Sequence, residues 1–394
     1  MRYLIISGIQ SGDSGTGRFI SYLEEQISHE LDGNVALVGR PDRLALWQIR
    51  NLYQKKLYRR LCINILMYFC RISKFWMLLI FYGYLQKRNL ILLHPQNLGY
   101  SLSLFLLKYR SKATLLFLLD SSFFCISSYN HIIGENNACI RCIDFGFDEI
   151  KLNNCSPFPR ADKRAIKFTV ELNKIVRKGK VRVVAQNEGQ AKLAKKQFQL
   201  SKLPAVVGLW TKDWDDLYNS NLNSNNTEQL EWDVLFHAHP VNAKGVMWAI
   251  ELAKNCKSLK FFFPFARPEN LPLLENCTFL ACTWESGLRK EIQRSRFVLV
   301  PSLWSAPIEG ALIKSILSSR AVLVVENQTA FCGELPYDLI LRLPPEIENA
   351  KSMLHKAVRE NWAPREEVLQ LWKNKFHANR RNCFKSLLGE SGNA

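Results

Sequence analysis

The sequence predicts an α/β protein with two Rossmann-like domains that face each other across a cleft. Three observations support this prediction. The chain has 394 residues, which exceeds what one ordinary hydrophobic core accommodates and suits two domains. Short apolar runs, typical of buried strands, alternate with segments whose apolar residues recur at helical spacing. The whole alternation occurs twice, and alternating strands and helices form parallel sheets that are covered by helices on both faces.

The first predicted domain, residues 1–180, begins with the strand "RYLIISGI", a glycine-rich turn and a helix, and continues with the strand "NVALVG". Two further strands, "NLILLHP" and "ATLLFLLD", flank the helix "LGYSLSLFLLKY". Ligands of such sheets bind beyond the carboxyl ends of the strands. His94 and Asp120 follow two of these ends, so we expect a general base there, or contacts to a sugar hydroxyl. Structural roles remain open, because His94 precedes Pro95 in a turn and Asp120 can cap the segment after it.

The second predicted domain, residues 181–344, repeats this plan. The strand "VRVVAQN" and a helix lead into a polar linker at 219–229, and five more strands follow: "WDVLFHAHP", "LKFFFPF", "CTFLAC", "RFVLVPS" and "AVLVVEN". Helices are predicted in "AKGVMWAIELAKN" and from about Glu309 onwards. The tail, residues 345–394, is predicted to be helical.

The charge of the chain restricts its partners. Lys and Arg number 53 against 35 Asp and Glu, which gives a net charge of +18. Such an excess favours nucleic acid, anionic lipid or phosphorylated substrates as partners. The sequence has no helix-turn-helix, finger or RNA-binding signature, so we do not expect nucleic acid. Eleven Cys without a signal peptide argue against a secreted disulfide scaffold, and we expect a cytoplasmic protein.

The segment "RRLCINILMYFCRISKFWMLLIFYGYLQKR", Arg59 to Arg88, is apolar and aromatic with basic residues at both ends. Arg71, Ser73 and Lys74 divide the apolar run, whereas a membrane-spanning helix needs about 20 uncharged residues. Three interpretations are open: two buried core helices, a surface that lies on an anionic membrane, or a true span. The second interpretation predicts a peripheral protein on the inner face of the membrane.

A glycine-rich turn follows the first strand in "GDSGTGR", Gly12 to Arg18. Gly15 and Gly17 there either let the backbone approach a nucleotide sugar at a helix start or form a tight turn with no further role. The spacing matches neither the dinucleotide fingerprint nor a Walker loop.

A second candidate binding segment, here for the phosphates of a nucleotide sugar, is "HAHPVNAKGVMWA". A strand ends there at His237, and Lys244-Gly245 opens a helix. A Lys at a helix start suits a phosphate, because the ammonium and the helix terminus both attract it; the alternative is an ordinary exposed Lys. His237-x-His239 alone is a weak metal signal, and we expect no catalytic metal.

The segment "PSLWSAPIEGALIKSILSSRAVLVV" places Glu309 and Gly310 at a helix start and Lys314 a turn and a half later. A carboxylate at a helix start is stabilised by the helix dipole. Glu309 is therefore either a plain helix-start acid or a catalytic residue on a helix that faces a sugar and its phosphates. Lys314 either contacts the donor or is solvated surface.

Together, the two α/β units, the glycine-rich loop, the Lys-Gly after a strand and "PSLW…EGALIKSILSSRAVLVV" resemble the GT-B glycosyltransferases of the large retaining group. The resemblance implies that the second domain holds a nucleotide sugar and that Lys244, which matches the family's Lys, contacts the phosphates. The family's other basic residue falls near His237 or His239. The family's two Glu are missing, since Lys314 stands in place of one and Ala306 in place of the other. The chain thus resembles a divergent branch of that group.

Residues 120–159 form a predicted Cys-rich loop. Its Cys125, Cys139, Cys142 and Cys155 offer four soft ligands, and Cys-x-x-Cys is a chelating spacing, so the loop suits a tetrahedral structural zinc. An iron–sulfur cluster, free buried thiols, a redox pair, and His131 in place of one Cys are the alternatives.

The same loop carries Tyr129, Asn130 and His131, a dense polar group that we expect to contact the acceptor.

The function that fits these features is transfer of a sugar from a nucleotide-sugar donor to a lipid-linked glycan acceptor in bacterial surface polysaccharide or lipopolysaccharide synthesis. The alternatives are a nucleotide-sugar epimerase on the same fold and a non-catalytic scaffold, bound to membrane or nucleic acid, with a zinc loop. The sequence leaves open the sugar, the nucleotide, the acceptor, the stereochemistry and the oligomeric state.

Overall fold

The computed structural model describes residues 2–12, 14–30, 34–41, 46–109, 114–157, 164–220, 229–269 and 271–379. Within these ranges the chain forms two six-stranded sheets whose strand pairs are all parallel, each flanked by helices. The predicted α/β architecture with two Rossmann-like units is confirmed.

The first sheet has the strand order β2-β1-β3-β4-β5-β6. Its strands are β1 (Tyr3–Ser7), β2 (Val35–Gly39), β3 (Asn89–Leu93), β4 (Thr114–Phe117), β5 (Arg182–Ala185) and β6 (Ala205–Val206). Its helices are α1 (Gly15–Glu30), α2 (Leu46–Gln54), α3 (Tyr58–Leu78, continued by π-helical turns over Leu79–Leu85), α4 (Pro95–Leu98), α5 (Tyr100–Tyr109), α6 (Arg141–Asp144), α7 (Glu149–Leu152), α8 (Arg164–Arg177) and α9 (Glu188–Phe198).

The second sheet has the strand order β12-β11-β10-β7-β8-β9. Its strands are β7 (Trp232–Phe236), β8 (Phe261–Phe263), β9 (Cys277–Phe279), β10 (Ser295–Val300), β11 (Val322–Val325) and β12 (Leu341–Leu343). The remaining helices are α10 (Lys212–Ser220), α11 (Val246–Asn255), α12 (Arg289–Gln293), α13 (Gly310–Ser318), α14 (Ile347–Arg359) and α15 (Glu366–Ala378). The central strands are continuous apolar runs because helices cover both of their faces, as Phe297, Val298 and Leu299 illustrate by their complete burial.

The boundary between the domains lies further along the chain than residue 181, where the sequence predicts it. Strand β5 pairs with β4 through Val183 opposite Leu116, so it extends the first sheet instead of starting the second. Strand β6 then adds the edge of the first sheet, which ends at Val206. The alternation of strands and helices in the sequence does not show which sheet a strand joins. For this reason the sequence places the boundary between the domains too early in the chain. The predicted linker at 219–229 lies mostly outside the described residues.

The predicted helical tail divides its contacts between two places. Helix α14 packs on α11 in the second domain, whereas α15 packs on α10, the helix that links the domains. Phe376 of α15 lies with its ring centroid 5.0 Å from that of Trp210 and 5.8 Å from that of Trp214. Residues 380–394 of this tail lie outside the described ranges.

The apolar segment between Arg59 and Arg88 does not form two buried helices, which was one of the predicted alternatives. It is one continuous helix, Tyr58–Leu85, whose most hydrophobic 18-residue window has a mean hydropathy of 1.5 and is only 11% buried. By length and composition alone, it could cross a membrane. Phe75 and Leu79 anchor its inner edge in the first domain's core.

Several contacts join the two domains across the cleft. An apolar cluster runs from Phe19 and Phe117 of the first domain to Val300 and Ile313 of the second. In addition, Glu334, which follows β11, accepts hydrogen bonds from the Asn187 side chain and from the backbone N–H groups of the next two residues. The side chain of Asn187, the N-cap residue of α9, does not cap its own helix. A carboxylate of the second domain therefore caps a helix of the first.

Candidate active site

A histidine–aspartate pair lies at the carboxyl ends of β3 and β4. Nε2 of His94 lies 3.1 Å from Oδ2 of Asp120, and Nδ1 of His94 is buried without a hydrogen-bonding partner. Burial opposes ionisation of Asp120, but the charge and hydrogen bond of His94, together with Ser122, outweigh it and hold the pKa of Asp120 below its ordinary value. Asp120 also caps the short helical turn that follows, because its Oδ1 accepts from the Ser122 N–H at 2.8 Å.

The backbone of His94 has a φ of +49°, in the left-handed region that most residues avoid. Strained backbone of this kind persists only where the surrounding structure enforces it, and it is frequent at functional sites. His94 occupies the turn before Pro95, as the structural interpretation predicts, and it also contacts Asp120, as the catalytic interpretation predicts. The geometry of the pair therefore fits both interpretations.

A largely buried ion pair, Lys244 and Glu309, lies in the second domain, and Tyr129 interacts electrostatically with both of its members and with Asp120. Nζ of Lys244 lies 2.9 Å from Oε1 of Glu309, and Oε2 of Glu309 accepts a 2.6 Å hydrogen bond from Ser302. Burial lowers the pKa of Lys244, but the neighbouring Glu309 carboxylate more than compensates, so the pKa lies above its ordinary value. Lys244 therefore stays charged at neutral pH. It is not the ordinary exposed Lys of the alternative interpretation.

Glu309 occupies the N-cap position of α13, but its side chain makes no capping hydrogen bond. The carboxylate turns towards Lys244 instead, so the first backbone N–H groups of α13 have no side-chain cap. Gly310 opens this helix, and a Cβ built there would come no closer than 4.0 Å to Trp214. An uncapped helix start beside a Lys is a favourable place for an anion.

Gly245 is required by the backbone that positions Lys244. Its φ is +74°, and a Cβ at this position would collide with the carbonyl of Pro301. Glycine alone allows α11 to begin this close to the end of β10.

Lys314, the residue that stands in place of a family Glu, is buried and does not lie on the surface. Its Nζ lies 2.6 Å from Oδ2 of Asp213 and 4.7 Å from the ring centroid of Trp284. Burial lowers its pKa, and Asp213 offsets part of that shift. Arg18 contacts both Asp213 and Glu285, so one network joins α1, α10 and the loop after β9.

His237 cannot supply the positive charge of the family's second basic residue. Burial, with Lys314 and Lys244 nearby, lowers the pKa of His237 to about 3, so the ring is neutral. Its Nδ1 lies 2.8 Å from the Ser315 hydroxyl, which itself donates to the Ala311 carbonyl. The imidazole Nδ1–H therefore donates to Ser315.

The glycine-rich turn has a structural explanation. A Cβ at Gly17 would lie 2.7 Å from the carbonyl oxygen of Gly12, and the Gly17 N–H donates to the Ser14 hydroxyl at 3.0 Å. Gly15 has open space around it. The turn starts α1 and delivers Arg18 to the charged network.

Of the three predicted acceptor residues, Asn130 has another role. Its amide donates to Ser305 of the second domain at 2.9 Å and to the Cys139 carbonyl at 3.1 Å, and its Oδ1 accepts from the Ser305 N–H. Both amide hydrogens are thus used, one within the loop and one in a bridge to the second domain. His131 bonds the Glu135 carbonyl through Nε2 at 2.7 Å, and burial lowers its pKa.

Tyr129 lies between the two halves of the site. Its ring meets Trp304 edge to face at 4.8 Å between centroids. Burial raises its pKa, and its hydroxyl interacts electrostatically with Lys244, Asp120 and Glu309. It is the predicted acceptor residue that the structure places within the site.

The predicted metal ligands Cys125, Cys139, Cys142 and Cys155 line one cavity in the loop that follows Asp120. Among the residues that the structure describes, no three His, Cys, Asp or Glu side chains already stand in metal-binding geometry.

The site has three residues that sequence reasoning missed: Arg18, Asp213 and Trp284. Arg18 follows the glycine-rich turn, Asp213 lies in the acidic stretch "KDWDD", and Trp284 follows β9, yet none forms a motif by itself. In this site three cations, Arg18, Lys244 and Lys314, meet three carboxylates, Asp213, Glu285 and Glu309.

No model of a known protein family matches the chain, and neither does any curated protein. Solved structures match it over nearly its full length. Anabaena HepE in complex with UDP aligns with a TM-score of 0.56 and 10% identity, over 99% of this chain and 100% of that one. Sucrose-phosphate synthase from Thermosynechococcus elongatus aligns with a TM-score of 0.59 and 10% identity, over 99% and 100%. The UDP-forming α,α-trehalose-phosphate synthase from Burkholderia vietnamiensis gives 0.56 and 12%, over 99% of both chains. At these identities the likeness establishes the fold alone.

Proposed function

We propose that this chain, which has the two-domain GT-B fold of glycosyltransferases, is itself a glycosyltransferase that takes its sugar from a nucleotide-sugar donor. The observation that carries the proposal is the largely buried Lys244–Glu309 pair at the uncapped start of α13, which shares the neighbour Tyr129 with Asp120 of the His94–Asp120 pair. Structures of the same fold hold UDP and UDP-glucose, which supports a nucleotide sugar as the ligand.

The donor phosphates would bind to Lys244 and to the free N–H groups at the start of α13. Because Glu309 already neutralises Lys244, a phosphate must compete with this carboxylate for the ammonium. Once the phosphate is bound, the fixed charge and the N–H dipoles stabilise the negative charge that develops on the leaving nucleotide.

The acceptor hydroxyl would lose its proton to the His94–Asp120 pair. Asp120 fixes Nε2 of His94, which leaves Nδ1 to receive a proton. Since Nδ1 is shielded from solvent, the groups that cover it must move before an acceptor hydroxyl can reach it. Tyr129, between the dyad and Glu309, is positioned to contact the acceptor or the sugar in transfer.

We further propose a lipid-linked glycan as the acceptor, in the synthesis of a bacterial surface polysaccharide. The support comes from the helix Tyr58–Leu85, whose outer face carries large apolar side chains that are more than 40% exposed: Ile63, Leu66, Met67, Phe69, Trp76, Met77, Ile80, Phe81, Tyr84 and Leu85. We call this set the apolar ridge. Monomeric proteins rarely expose a contiguous apolar patch of this kind without a partner.

Basic residues accompany the apolar ridge and favour an anionic bilayer as that partner. Arg59, Arg60, Arg71 and Lys74 are all exposed on the same helix, and the chain carries a net charge of +18. Apolar side chains would enter the acyl boundary while the cations contact lipid phosphates. The protein would then act peripherally, on the inner face of the membrane, where a lipid-linked acceptor is accessible.

Donor binding tests the transferase. We expect one of a panel of UDP-, GDP- and CDP-sugars to bind in the micromolar range, and Lys244→Met to weaken that binding about tenfold or more, because a charge-assisted phosphate contact is lost. Lys254→Met is the matched control, since Lys254 lies in the last turn of α11, the helix that follows Lys244, and pairs with Glu251 at the surface. If the folded protein binds none of these donors in the presence of lipid, the transferase and epimerase are both excluded and the scaffold alternative gains support.

Vesicle sedimentation tests the membrane partner. Vesicles that contain phosphatidylglycerol should retain the protein more strongly than pure phosphatidylcholine vesicles, and Leu66→Asp on the apolar ridge should release it. Leu273→Asp is the control, because Leu273 is 78% exposed outside the ridge. Equal retention of both variants, or no retention of the unaltered protein, would contradict membrane binding.

A further inference from the structure

The loop after β4 gathers four cysteines from three local elements. Cys125 follows the turn capped by Asp120, Cys139 and Cys142 flank the start of α6, and Cys155 follows α7. All four side chains line the same cavity. They are close enough for each thiol to interact electrostatically with others of the group.

Backbone contacts hold the two arms of this loop together. His131 and Ala138 form an antiparallel bridge, and the Cys139 N–H donates to the Asn130 carbonyl at 2.7 Å. At the other end, the Cys155 N–H donates to the Ile150 carbonyl at 2.9 Å. These contacts fix the backbone at Cys139, in the middle of the loop, and at Cys155, near its end.

The loop has little apolar core of its own that would hold it in one conformation. Helices α6 and α7 have four residues each. Phe123 and Phe124 at its start lie in the core of the first domain, but Ile133, Phe145 and Leu152 further along are 79%, 76% and 74% exposed. Between residues 127 and 149 no apolar side chain is buried, and a stretch of this size without buried apolar groups usually depends on a cross-link or a metal for its stability.

We propose that Cys125, Cys139, Cys142 and Cys155 bind one zinc ion as a tetrahedral four-thiolate site with a structural role. Four sulfur ligands and a Cys-x-x-Cys spacing suit zinc. The alternative ligand His131 already uses Nε2 to bond the Glu135 carbonyl. Since no three candidate ligands in the described chain stand in coordinating geometry, binding requires the cysteine side chains to turn towards the centre of the cavity.

Arg141 supports an anionic metal centre at this place. It lies near Cys155 and is held by Asn153 and by Glu135, the latter at 2.6 Å. A cation next to thiolates compensates their charge, as groups around a metal site generally do.

The same loop joins the domains, which gives the metal a consequence beyond the loop. Asn130 binds Ser305, and Asn136 donates to the Pro345 carbonyl at 3.1 Å. A zinc ion that fixes the loop would therefore fix two contacts between the domains. If the proposed function holds, it would also set the position of Tyr129 in the cleft.

Metal analysis of the full-length protein tests the proposal. Purified without chelator, the protein should carry one zinc per chain, and cobalt(II) in its place should give the intense visible bands of tetrahedral thiolate coordination. Cys142→Ser should lower the zinc content and the melting temperature, whereas Cys62→Ser, at an exposed position outside the loop, should change neither. Zinc removal by a chelator should lower the melting temperature of the unaltered protein and of Cys62→Ser, but not that of Cys142→Ser.

Three results would overturn the zinc assignment. They are the absence of stoichiometric metal, stoichiometric iron with inorganic sulfide, and zinc that persists when all four cysteines are replaced by Ser. Should Cys142→Ser fail to fold, Cys155→Ser in the cobalt assay gives the same decision. Each readout is independent of donor binding, so failure of the transferase proposal would leave this test intact.

Discussion

The two sides of the cleft differ in how their charged side chains are balanced. On the second-domain side, Lys244 and Lys314 are each paired with a carboxylate, and the nearby His237 is neutral. On the first-domain side, one carboxylate, Asp120, holds a His whose other ring nitrogen has no partner. The first arrangement suits an anion that displaces a carboxylate, and the second suits transfer of a proton. The comparison therefore agrees with the proposal that the second-domain side binds the donor and the first-domain side activates the acceptor.

The largest expected effect comes from breaking the Lys244–Glu309 pair. Glu309→Leu leaves a buried ammonium without its counter-charge, which should lower the free energy of unfolding by about 3–5 kcal/mol. The double variant Lys244→Met/Glu309→Leu should recover most of that loss, because a buried pair replaced by apolar groups costs little. Urea denaturation of the two single variants and the double variant measures this cycle. If the stability lost by the double variant equals the sum of the losses of the two single variants, the two side chains do not stabilise each other.

The next effect concerns the first-domain side. His94→Asn removes the proton acceptor but keeps a residue that tolerates positive φ, so the fold should persist. Turnover should fall at least about a hundredfold while donor affinity stays unchanged. Initial rates and donor binding, measured on the same preparation, separate the two. Unaltered turnover would remove the dyad from the chemistry and leave it as a turn-stabilising pair.

The smallest effect is a pH dependence on the second-domain side. Because the pKa of His237 is about 3 in the folded chain and the pKa of an unfolded His is about 6.5, only the unfolded chain takes up a proton between these values. Stability should therefore fall as the pH is lowered from 6.5, by about 2 kcal/mol at pH 5.

His237→Asn should reduce that pH dependence, whereas His239→Asn, at an exposed position, should leave it unchanged. Urea denaturation at pH 7 and pH 5 gives the comparison. If the free energy of unfolding changes equally between pH 7 and pH 5 for the unaltered chain and for His237→Asn, then His237 is protonated in the folded chain.

Much of the fold could be predicted from local patterns, since apolar runs and helical spacing located β1, β7, β10 and most other elements. The assignment of β5 to the first sheet could not, because strand pairing is set by packing between distant segments. The site shows the same division. Lys244 and Glu309 were each predicted as donor residues from their helix starts, but their pairing was not. Arg18, Asp213 and Trp284 meet only when three separate elements converge, so local sequence contains no sign of their contact.

The cap that Glu334 provides to α9 links helix stability to the relative populations of open and closed molecules. When the domains separate, the start of α9 loses its acceptor, and loss of an N-cap costs about 0.5–2 kcal/mol. That alone favours the closed form about two- to thirtyfold. A single side chain of the second domain thus stabilises the arrangement in which the two domains are in contact.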